Sequence, residues 1–505
     1  MTTKKQQPLT IAIASPPLKG PGVPLLSQNR QFQWYRSPVT SYTIYPVVPA
    51  YAATFLQSKG YRVQWMDYVA EKKSYEEFLR DMGERDIDII AIETKTPVVQ
   101  QHWRIINDIK KRYPSMTCVL MGDHVTALPH ESFEHSNVDY VLAGGDFDFR
   151  LLGLVSHLDG TNKTWGQGIY YRDKNGTIVS TGGDKRGNNL TKLPMIDRQL
   201  TKWWLYSGDN GNFKYKPNTY TMIGRDCWWR RPSKDGKAGC TFCSWTSIFP
   251  TWRTGTPTQL LDEIGHLIDI GVKEVFDDTG TFPVGDWLKE FCAGMVSRGY
   301  SSKIIFGCNM RAGALKQSEF RMMKKAGFRF ILYGLESVNQ KTIDRLNKGT
   351  TVVALEQSVK WAKKAGLAPH ITIMFGYPWE TKEDAERTVA FAQKLYREGA
   401  IDTLQATILM PYPGTALYDE AVKNKWLRFT DYSRYDMGEP VLTCPISDDD
   451  LKNIVQDCYH AFWSPSYIIR RLFEVRSFHD VIFLLFLGMK YVSKLLDFRK
   501  KGYDG

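Results

Sequence analysis

From Leu9 to about Leu158, short apolar runs alternate with segments of helical periodicity. The runs fall at Thr10–Ala14, Arg62–Met66, Ile87–Ile92, Cys118–Met121 and Tyr140–Ala143. Apolar residues recur at helical spacing over Val48–Lys59, Tyr75–Arg85, Val98–Arg112 and Phe147–His157. This α/β rhythm predicts a parallel sheet wrapped by helices, the doubly wound, flavodoxin-like (Rossmann-type) arrangement. Such sheets take ligands beyond the carboxyl ends of their strands. Here those ends read Ser15-Pro16-Pro17, Glu93-Thr94-Lys95-Thr96, Met121-Gly122-Asp123-His124 and Ala143-Gly144-Gly145. The glycines would let a ligand approach the backbone closely, or serve only as turn residues. Residues 165–182 alternate around Asn175-Gly176, the mark of a β-hairpin, and close a first domain at 1–182.

A polar stretch, 183–218, then bridges to a second domain at 219–425. Strands are expected at Tyr220–Ile223, Glu274–Phe276, Ile304–Phe306, Phe328–Tyr333, His370–Phe375 and Thr403–Leu409, with an amphipathic helix at Gln259–Ile270. Each strand ends in a loop rich in polar, Gly or Pro residues. That is the layout of a partial TIM (β/α)6 barrel with its site at the carboxyl-terminal rim. After Trp426 the pattern breaks into a helical C-terminal region, 426–505, that mixes apolar residues with Arg and Lys. Its run Val481–Leu487 is too short to cross a bilayer. The region could lie on a membrane as a basic amphipathic surface. The preferred reading is a helix packed on the barrel with its basic residues facing water.

Composition narrows the classes of function. With 43% hydrophobic and 24% charged residues, disorder is not expected. The net charge of +12 suits an anionic substrate, an acidic redox partner or an anionic membrane. Lys and Arg form no long run, so no nucleic-acid partner is expected. Eight cysteines in 505 residues, mostly single, are not a secreted disulfide framework. The chain is expected to be cytoplasmic, with membrane association as the alternative.

Three of the cysteines are clustered. Cys227, Cys240 and Cys243 stand in a Cys-x12-Cys-x2-Cys arrangement at the end of the first barrel strand. A Cys-x-x-Cys turn places two thiolates together, and a third leaves one position of an iron–sulfur cluster open. The alternative is structural zinc with a fourth ligand such as Cys308 or a histidine. Zinc sites usually pair two Cys-x-x-Cys units, however, and no second pair occurs.

In order along the chain stand this loop, closing on Cys240-Thr241-Phe242-Cys243, then Asp277-Asp278, Arg311, and Gly334-Leu335-Glu336-Ser337 with Asn347-Lys348-Gly349. Gly376-Tyr377-Pro378-Trp379-Glu380-Thr381 and Pro411-Tyr412-Pro413-Gly414-Thr415 follow. From about residue 9 to 425 the order resembles radical S-adenosylmethionine (SAM) enzymes with an N-terminal cobalamin-binding domain. Anaerobic magnesium-protoporphyrin monomethyl ester cyclases, hopanoid-modifying enzymes and cobalamin-dependent methylases belong to that class.

The resemblance implies that Cys227, Cys240 and Cys243 hold a 4Fe–4S cluster whose open iron binds SAM. Reductive cleavage of SAM would give a 5′-deoxyadenosyl radical that abstracts hydrogen from an unactivated carbon. Phe242 would pack near the cluster and adenine, and Asp277 and Asp278 would stand near the methionine amino group. Arg311, Glu336, Ser337, Gly376, Pro413 and Gly414 complete the implied SAM contacts. Cobalamin would contact Thr94, Thr96, Gly122, Asp123, His124, Gly144 and Gly145. Two departures stand out. Trp228–Gly239 lengthens the family's Cys-x3-Cys-x2-Cys spacing, adding Trp228, Trp229, Arg230, Arg231, Lys234 and Lys237. An Asp-x-His-x-x-Gly cobalamin signature is absent, and Ser15–Val47 contains no histidine to serve as an axial ligand.

The function expected from these readings is radical modification of a biosynthetic intermediate, lipophilic or anionic. Cobalamin-dependent methyl transfer comes first. The alternatives are a radical cyclase or oxidoreductase on a tetrapyrrole or lipid, or a non-catalytic metal-binding protein. The implied redox partner is a flavodoxin- or ferredoxin-type donor.

Overall fold

A computed structural model describes residues 8–26, 32–35, 43–183, 187–208, 213–230, 239–460, 465–475 and 477–499. Strands β1 (Thr10–Ser15), β2 (Arg62–Asp67), β3 (Ile89–Thr94), β4 (Thr117–Gly122) and β5 (Tyr140–Leu142) form a parallel sheet of order β2-β1-β3-β4-β5. This is the expected flavodoxin-like order, with its topological switch point between β1 and β3. The hairpin β6 (Ile169–Arg172) and β7 (Ile178–Ser180) adds to β5 antiparallel, and its Asp173–Thr177 turn holds Gly176 at φ 80°.

Side-chain alternation sends the two faces of this sheet into different cores. Ala12, Ala14, Ile90, Ile92 and Leu120 pack on helices 75–84 and 99–112, through Phe78, Met82, Trp103, Ile106 and Ile109. Ile11, Ile13, Ile89, Ala91 and Val119 belong instead to a core that runs on without a break into the second domain.

That domain is built on β8 (Asn218–Thr221), β9 (Glu274–Asp277), β10 (Ile305–Met310), β11 (Phe328–Glu336), β12 (Ala368–Phe375) and β13 (Thr403–Ile408), paired in sequence order and all parallel. It is the expected six-stranded half-barrel. Two strands run further than their apolar pattern. Cys308–Met310 and Gly334–Glu336, expected as loops, are strand, because neighbouring backbones continue the ladder through Met310↔Tyr333 and Glu336↔Ile373.

An open half-barrel leaves two strand edges to protect. At β13, the Tyr459 hydroxyl of helix Asp448–His460 accepts from Ala406 N–H at 3.0 Å and donates to its carbonyl at 3.2 Å. At β8, buried Arg198 donates to Thr219 Oγ1 (3.1 Å), the Tyr220 carbonyl (3.0 Å) and Glu263 (2.6 Å). Residues 187–208 therefore lie against the barrel, with Trp203 and Tyr206 in its shared core. The C-terminal region is helical over Asp448–His460, Pro465–Phe473 and Phe478–Arg499. Arg470 and Arg471 turn towards the barrel, however, and apolar residues turn outward, the reverse of the preferred reading.

Candidate functional site

The cysteine loop begins where β8 ends. Gly224–Arg225 pairs antiparallel with Arg253–Thr254, and Asp226 then takes φ 75° and turns the chain so that its carboxylate accepts the Cys227 N–H at 2.7 Å. Arg230 lies on the same carboxylate. Burial pushes the Asp226 carboxyl up to about 7. Cys240 and Cys243 close a tight turn through Cys243 N–H to the Cys240 carbonyl (3.2 Å), and Cys243 opens the short helix Ser244–Ile248. Between them Thr241 is held from both sides. Its N–H reaches the Leu346 carbonyl (3.0 Å), and its carbonyl accepts from Leu417 N–H (2.8 Å). The loops after β11 and β13 thus fix the Cys-x-x-Cys turn.

The three thiols lie within electrostatic reach of one another. Cys240 raises the pKa of Cys227, and both Cys240 and Cys227 raise that of Cys243. Burial is the larger cause and pushes the Cys243 thiol up to about 12. Cys227 Sγ lies 3.1 Å from the Thr281 hydroxyl, and Arg311 lowers its pKa. Three half-buried cysteines on one loop, two of them a Cys-x-x-Cys pair, are a donor set suited to cluster iron. Among the described residues no group of three or more His, Cys, Asp or Glu side chains is arranged to hold a single metal ion. Cys308, the suggested fourth zinc ligand, is fully buried on β10 among core residues.

Beside the thiols stands a second polar group. Glu336 ends β11 at φ 69°, an uncommon conformation for a residue with a Cβ, after a register shift at Gly334. Its carboxylate meets Lys348 Nζ at 2.6 Å, both side chains being largely buried. Lys348 also lies 5.8 Å from the centre of the Phe242 ring. The Lys348 carbonyl accepts from Arg311, whose guanidinium stacks 4.2 Å over Trp229. Trp229 in turn donates Nε1–H to the Asn347 carbonyl at 3.1 Å, and a side chain on Gly349 would collide with its ring. The first residues of the long insertion therefore pack on the Asn347-Lys348-Gly349 turn. Arg231, Lys234 and Lys237 lie outside the described residues.

The remaining residues expected at SAM are placed less uniformly. Asp277 is buried and accepts from Thr221 Oγ1 (2.9 Å), Ile223 N–H (3.0 Å) and Thr279 N–H (3.2 Å), and burial pushes its carboxyl up to about 6. It pins the end of β8 at the start of the cysteine loop. Asp278 lies 3.4 Å from Asn309 Nδ2. Ser337 donates to Glu380 at 2.6 Å rather than into the mouth. Gly376 takes φ 88° beside Ile408 and Leu451, and Pro413 is buried. Phe242 packs against Leu346, Met374, Tyr377 and Leu417, an apolar wall next to the thiols. Lys348, Thr281 and Trp229 were not singled out as site residues from the sequence. Lys348 lay within a quoted motif, but a partner twelve positions from Glu336 carries no spacing signal.

The carboxyl ends of the two sheets face each other. Gly145 N–H donates to the Ile248 carbonyl at 2.9 Å, and its α-carbon lies against the Phe249 ring. A Cβ on Gly414 would come 2.8 Å from that of Ala127. Arg225 Nη2 donates to buried Asp148 at 2.7 Å, and Arg253 meets Asp146 at 2.5 Å. On the N-terminal side the residues expected at cobalamin are held by partners within the domain. Thr94 Oγ1 lies 2.7 Å from His102, and Thr96 Oγ1 lies 3.2 Å from His124. Asp123 pairs with buried Lys95 at 3.0 Å. His124 Nε2 is 3.4 Å from Glu131, and its ring packs between Trp103 and Tyr432. Gly122, at φ 125°, leaves no room for a side chain against the Thr94 carbonyl, and Gly144, at φ 106°, abuts the Arg150 guanidinium. Among the described residues Glu93 Oε1 is buried without a hydrogen-bond partner, and burial pushes that carboxyl up to about 7.

The model of the radical SAM superfamily matches residues 233–392. Over those residues the chain matches the radical SAM superfamily, and the half-barrel with its rim cysteines agrees with that match. Within the class, it resembles B12-binding radical SAM methyltransferases and the anaerobic magnesium-protoporphyrin IX monomethyl ester cyclase. It is 25% identical to an uncharacterised methyltransferase of Pyrococcus horikoshii, covering 86% of this chain and 91% of that protein. It is 24% identical to the anaerobic magnesium-protoporphyrin IX monomethyl ester cyclase of Cereibacter sphaeroides, over 79% of this chain and 63% of the cyclase. Among solved structures, the cobalamin-dependent SAM radical enzyme OxsB, with aqua-cobalamin and SAM bound, superimposes with a TM-score of 0.64 at 15% identity, over 97% of this chain and 72% of OxsB. The radical SAM methyltransferase TsrM of Kitasatospora setae, with tryptophan and a SAM analogue bound, gives 0.62 at 15% identity, over 82% and 76%. At that identity the likeness is one of fold.

Proposed function

We propose that this protein cleaves SAM reductively at a 4Fe–4S cluster and methylates an unactivated carbon of a small biosynthetic intermediate with the help of cobalamin. The observation that carries the reading is the group of three half-buried cysteines at the rim, together with the Glu336–Lys348 pair. When bound, the cluster and SAM supply an electron and a 5′-deoxyadenosyl radical, and cobalamin supplies a carrier for the methyl group. Cys227, Cys240 and Cys243 would hold the cluster, and Thr281 orients the Cys227 sulfur. Glu336 and Lys348 offer an anion and a cation within one hydrogen bond of each other, complementary to the amino and carboxylate groups of an amino acid. Asp277 and Asp278 fix the strand end below them. Phe242 with Leu346, Met374 and Leu417 keeps water and its protons from the mouth.

Cobalamin would lie where the two sheets face each other, near Gly144, Gly145 and the unsatisfied oxygen of Glu93. His124 is held by Thr96, Trp103 and Tyr432, which supports a packing role for it. The methyl reading draws on the methyltransferase relative that spans most of both chains. Radical cyclisation is the second reading, favoured by the cyclase relatives. A flavodoxin- or ferredoxin-type electron donor and peripheral contact of the C-terminal region with a membrane belong to the same proposal. The test uses SAM carrying a labelled methyl group in a reduced, anaerobic reaction. Methyl transfer puts label in the product, and cyclisation leaves the product unlabelled while 5′-deoxyadenosine still forms.

A further inference from the structure

We propose that the outer face of the two C-terminal helices docks this protein on the surface of an anionic phospholipid bilayer; the inference deepens, and rests on, the membrane contact included in the proposed function. The helices are amphipathic the wrong way round for a soluble surface. In Pro465–Phe473, polar groups face the barrel: Tyr467 donates to the Asp402 carbonyl (3.1 Å), Arg470 to the Tyr396 carbonyl (2.8 Å) and Arg471 to the Asp402 carboxylate (2.7 Å). Ile468, Ile469, Leu472 and Phe473 are left facing outward, the last two 63% and 75% exposed. Phe478–Met489 repeats the arrangement. Asp480 pairs with Lys214 and Leu487 is buried, while Phe478, Val481, Ile482, Leu485 and Met489 are exposed at the spacing of one helical face. Scattered exposed apolar residues are ordinary, but a continuous row on successive helices marks a surface that something covers.

Charge chooses the occupant. From residue 465 onward the chain has eight Lys and Arg against four Asp and Glu. Two copies brought together here would repel through these net-positive tails, whereas an anionic bilayer attracts them. Among the described residues no helix is long and apolar enough to cross a membrane, so this pair would lie in the interface. Between the helices and the base of the barrel is a cavity of about 420 Å³, lined in part by Lys214, Lys324, Arg329, Lys363 and Arg471. Four of these are paired with Asp480, Glu274, Asp402 or Glu474. Lys324 has no acidic partner among the described residues. Burial and the neighbouring Arg329 and Lys214 push its pKa down, as an approaching headgroup phosphate would relieve.

The test is vesicle flotation of the full-length protein, with phosphatidylcholine vesicles and with vesicles that also contain phosphatidylglycerol. The protein should float with the anionic vesicles at least about tenfold more than with phosphatidylcholine alone, and salt should weaken the binding. A triple change, Leu472→Glu, Phe473→Glu and Leu485→Glu, should abolish flotation while circular dichroism stays native. Leu485→Ser alone should lower it about tenfold. Lys324→Glu should remove most of the preference for anionic vesicles. The proposal is overturned if nothing floats, if the triple variant floats like the parent, or if the parent is a dimer in solution that the triple variant dissociates. Flotation is read without turnover, so failure to bind leaves SAM cleavage standing, and failure of cleavage leaves the vesicle result standing.

Discussion

The barrel rim and the facing end of the N-terminal sheet are both lined with polar residues at strand ends, but they treat them differently. On the N-terminal side, Thr94, Thr96, Asp123 and His124 each have a partner inside the protein, and Gly122 is required by its approach to the Thr94 carbonyl. At the rim, burial and the neighbouring Cys240 oppose ionisation of Cys227 and Cys243, and among the described residues Thr281 is the side chain hydrogen-bonded to a rim thiol, that of Cys227. A site that a protein does not complete by itself is one completed by a ligand. By that criterion the cysteine site is the one left open, and on the N-terminal side Glu93 Oε1 is without a partner among the described residues, while Gly144 and Gly145 are packed by Arg150 and Phe249.

The largest effect should separate the cysteines. Cys227→Ala or Cys243→Ala should reduce iron and sulfide bound after anaerobic reconstitution to background. Cys308→Ala, in the core of β10, should leave the cluster intact and cost about 1–2 kcal/mol of stability by denaturant titration. Equal iron in all three variants would dissolve the contrast between rim and core. Next comes the joint between the two regions. Arg225→Met leaves Asp148 buried without its cation and should destabilise the protein by about 3–5 kcal/mol, read as a fall in the thermal midpoint.

Glu93 sharpens the N-terminal side. Burial raises its carboxyl from 4.5 to about 7, so between those values the native state keeps a proton that the unfolded chain has lost. Its contribution to stability is therefore lost as pH rises through that window. Glu93→Gln should shrink the difference in unfolding free energy between about pH 5 and about pH 8 by about 2–3 kcal/mol. A variant with the parent's pH profile would show that the carboxyl is not desolvated. The smallest effect belongs to His124. His124→Ala should cost about 2 kcal/mol through its lost contacts with Thr96 and Trp103, and leave any cobalamin absorbance band of the purified protein unchanged. Loss of the band with normal stability would make the histidine a ligand.

Much of this was legible in the chain because parallel strands buried on both faces read as continuous apolar runs. β3, buried along all of Ile89–Thr94, is the clearest case. The cysteines were legible because Cys-x-x-Cys is a local spacing. What could not be read depends on contacts far apart in sequence. The extension of β11 to Glu336 is set by pairing with β12, after its own apolar pattern has stopped. The Trp229–Asn347 hydrogen bond and the Thr281–Cys227 contact join residues more than fifty positions apart, and no periodicity records them. The C-terminal helices show the same limit. Their mixed composition fits either orientation, and Asp402 on the barrel decides which side Arg471 faces.

The central claim is that the rim thiols hold a cluster that cleaves SAM. It is tested most directly by reducing the reconstituted protein with dithionite in the presence of SAM and measuring 5′-deoxyadenosine, beside a Cys240→Ala variant prepared in the same way. The account predicts 5′-deoxyadenosine from the parent and only background from the variant. A protein that takes up zinc instead of iron and sulfide, or a variant that forms 5′-deoxyadenosine like the parent, would contradict it.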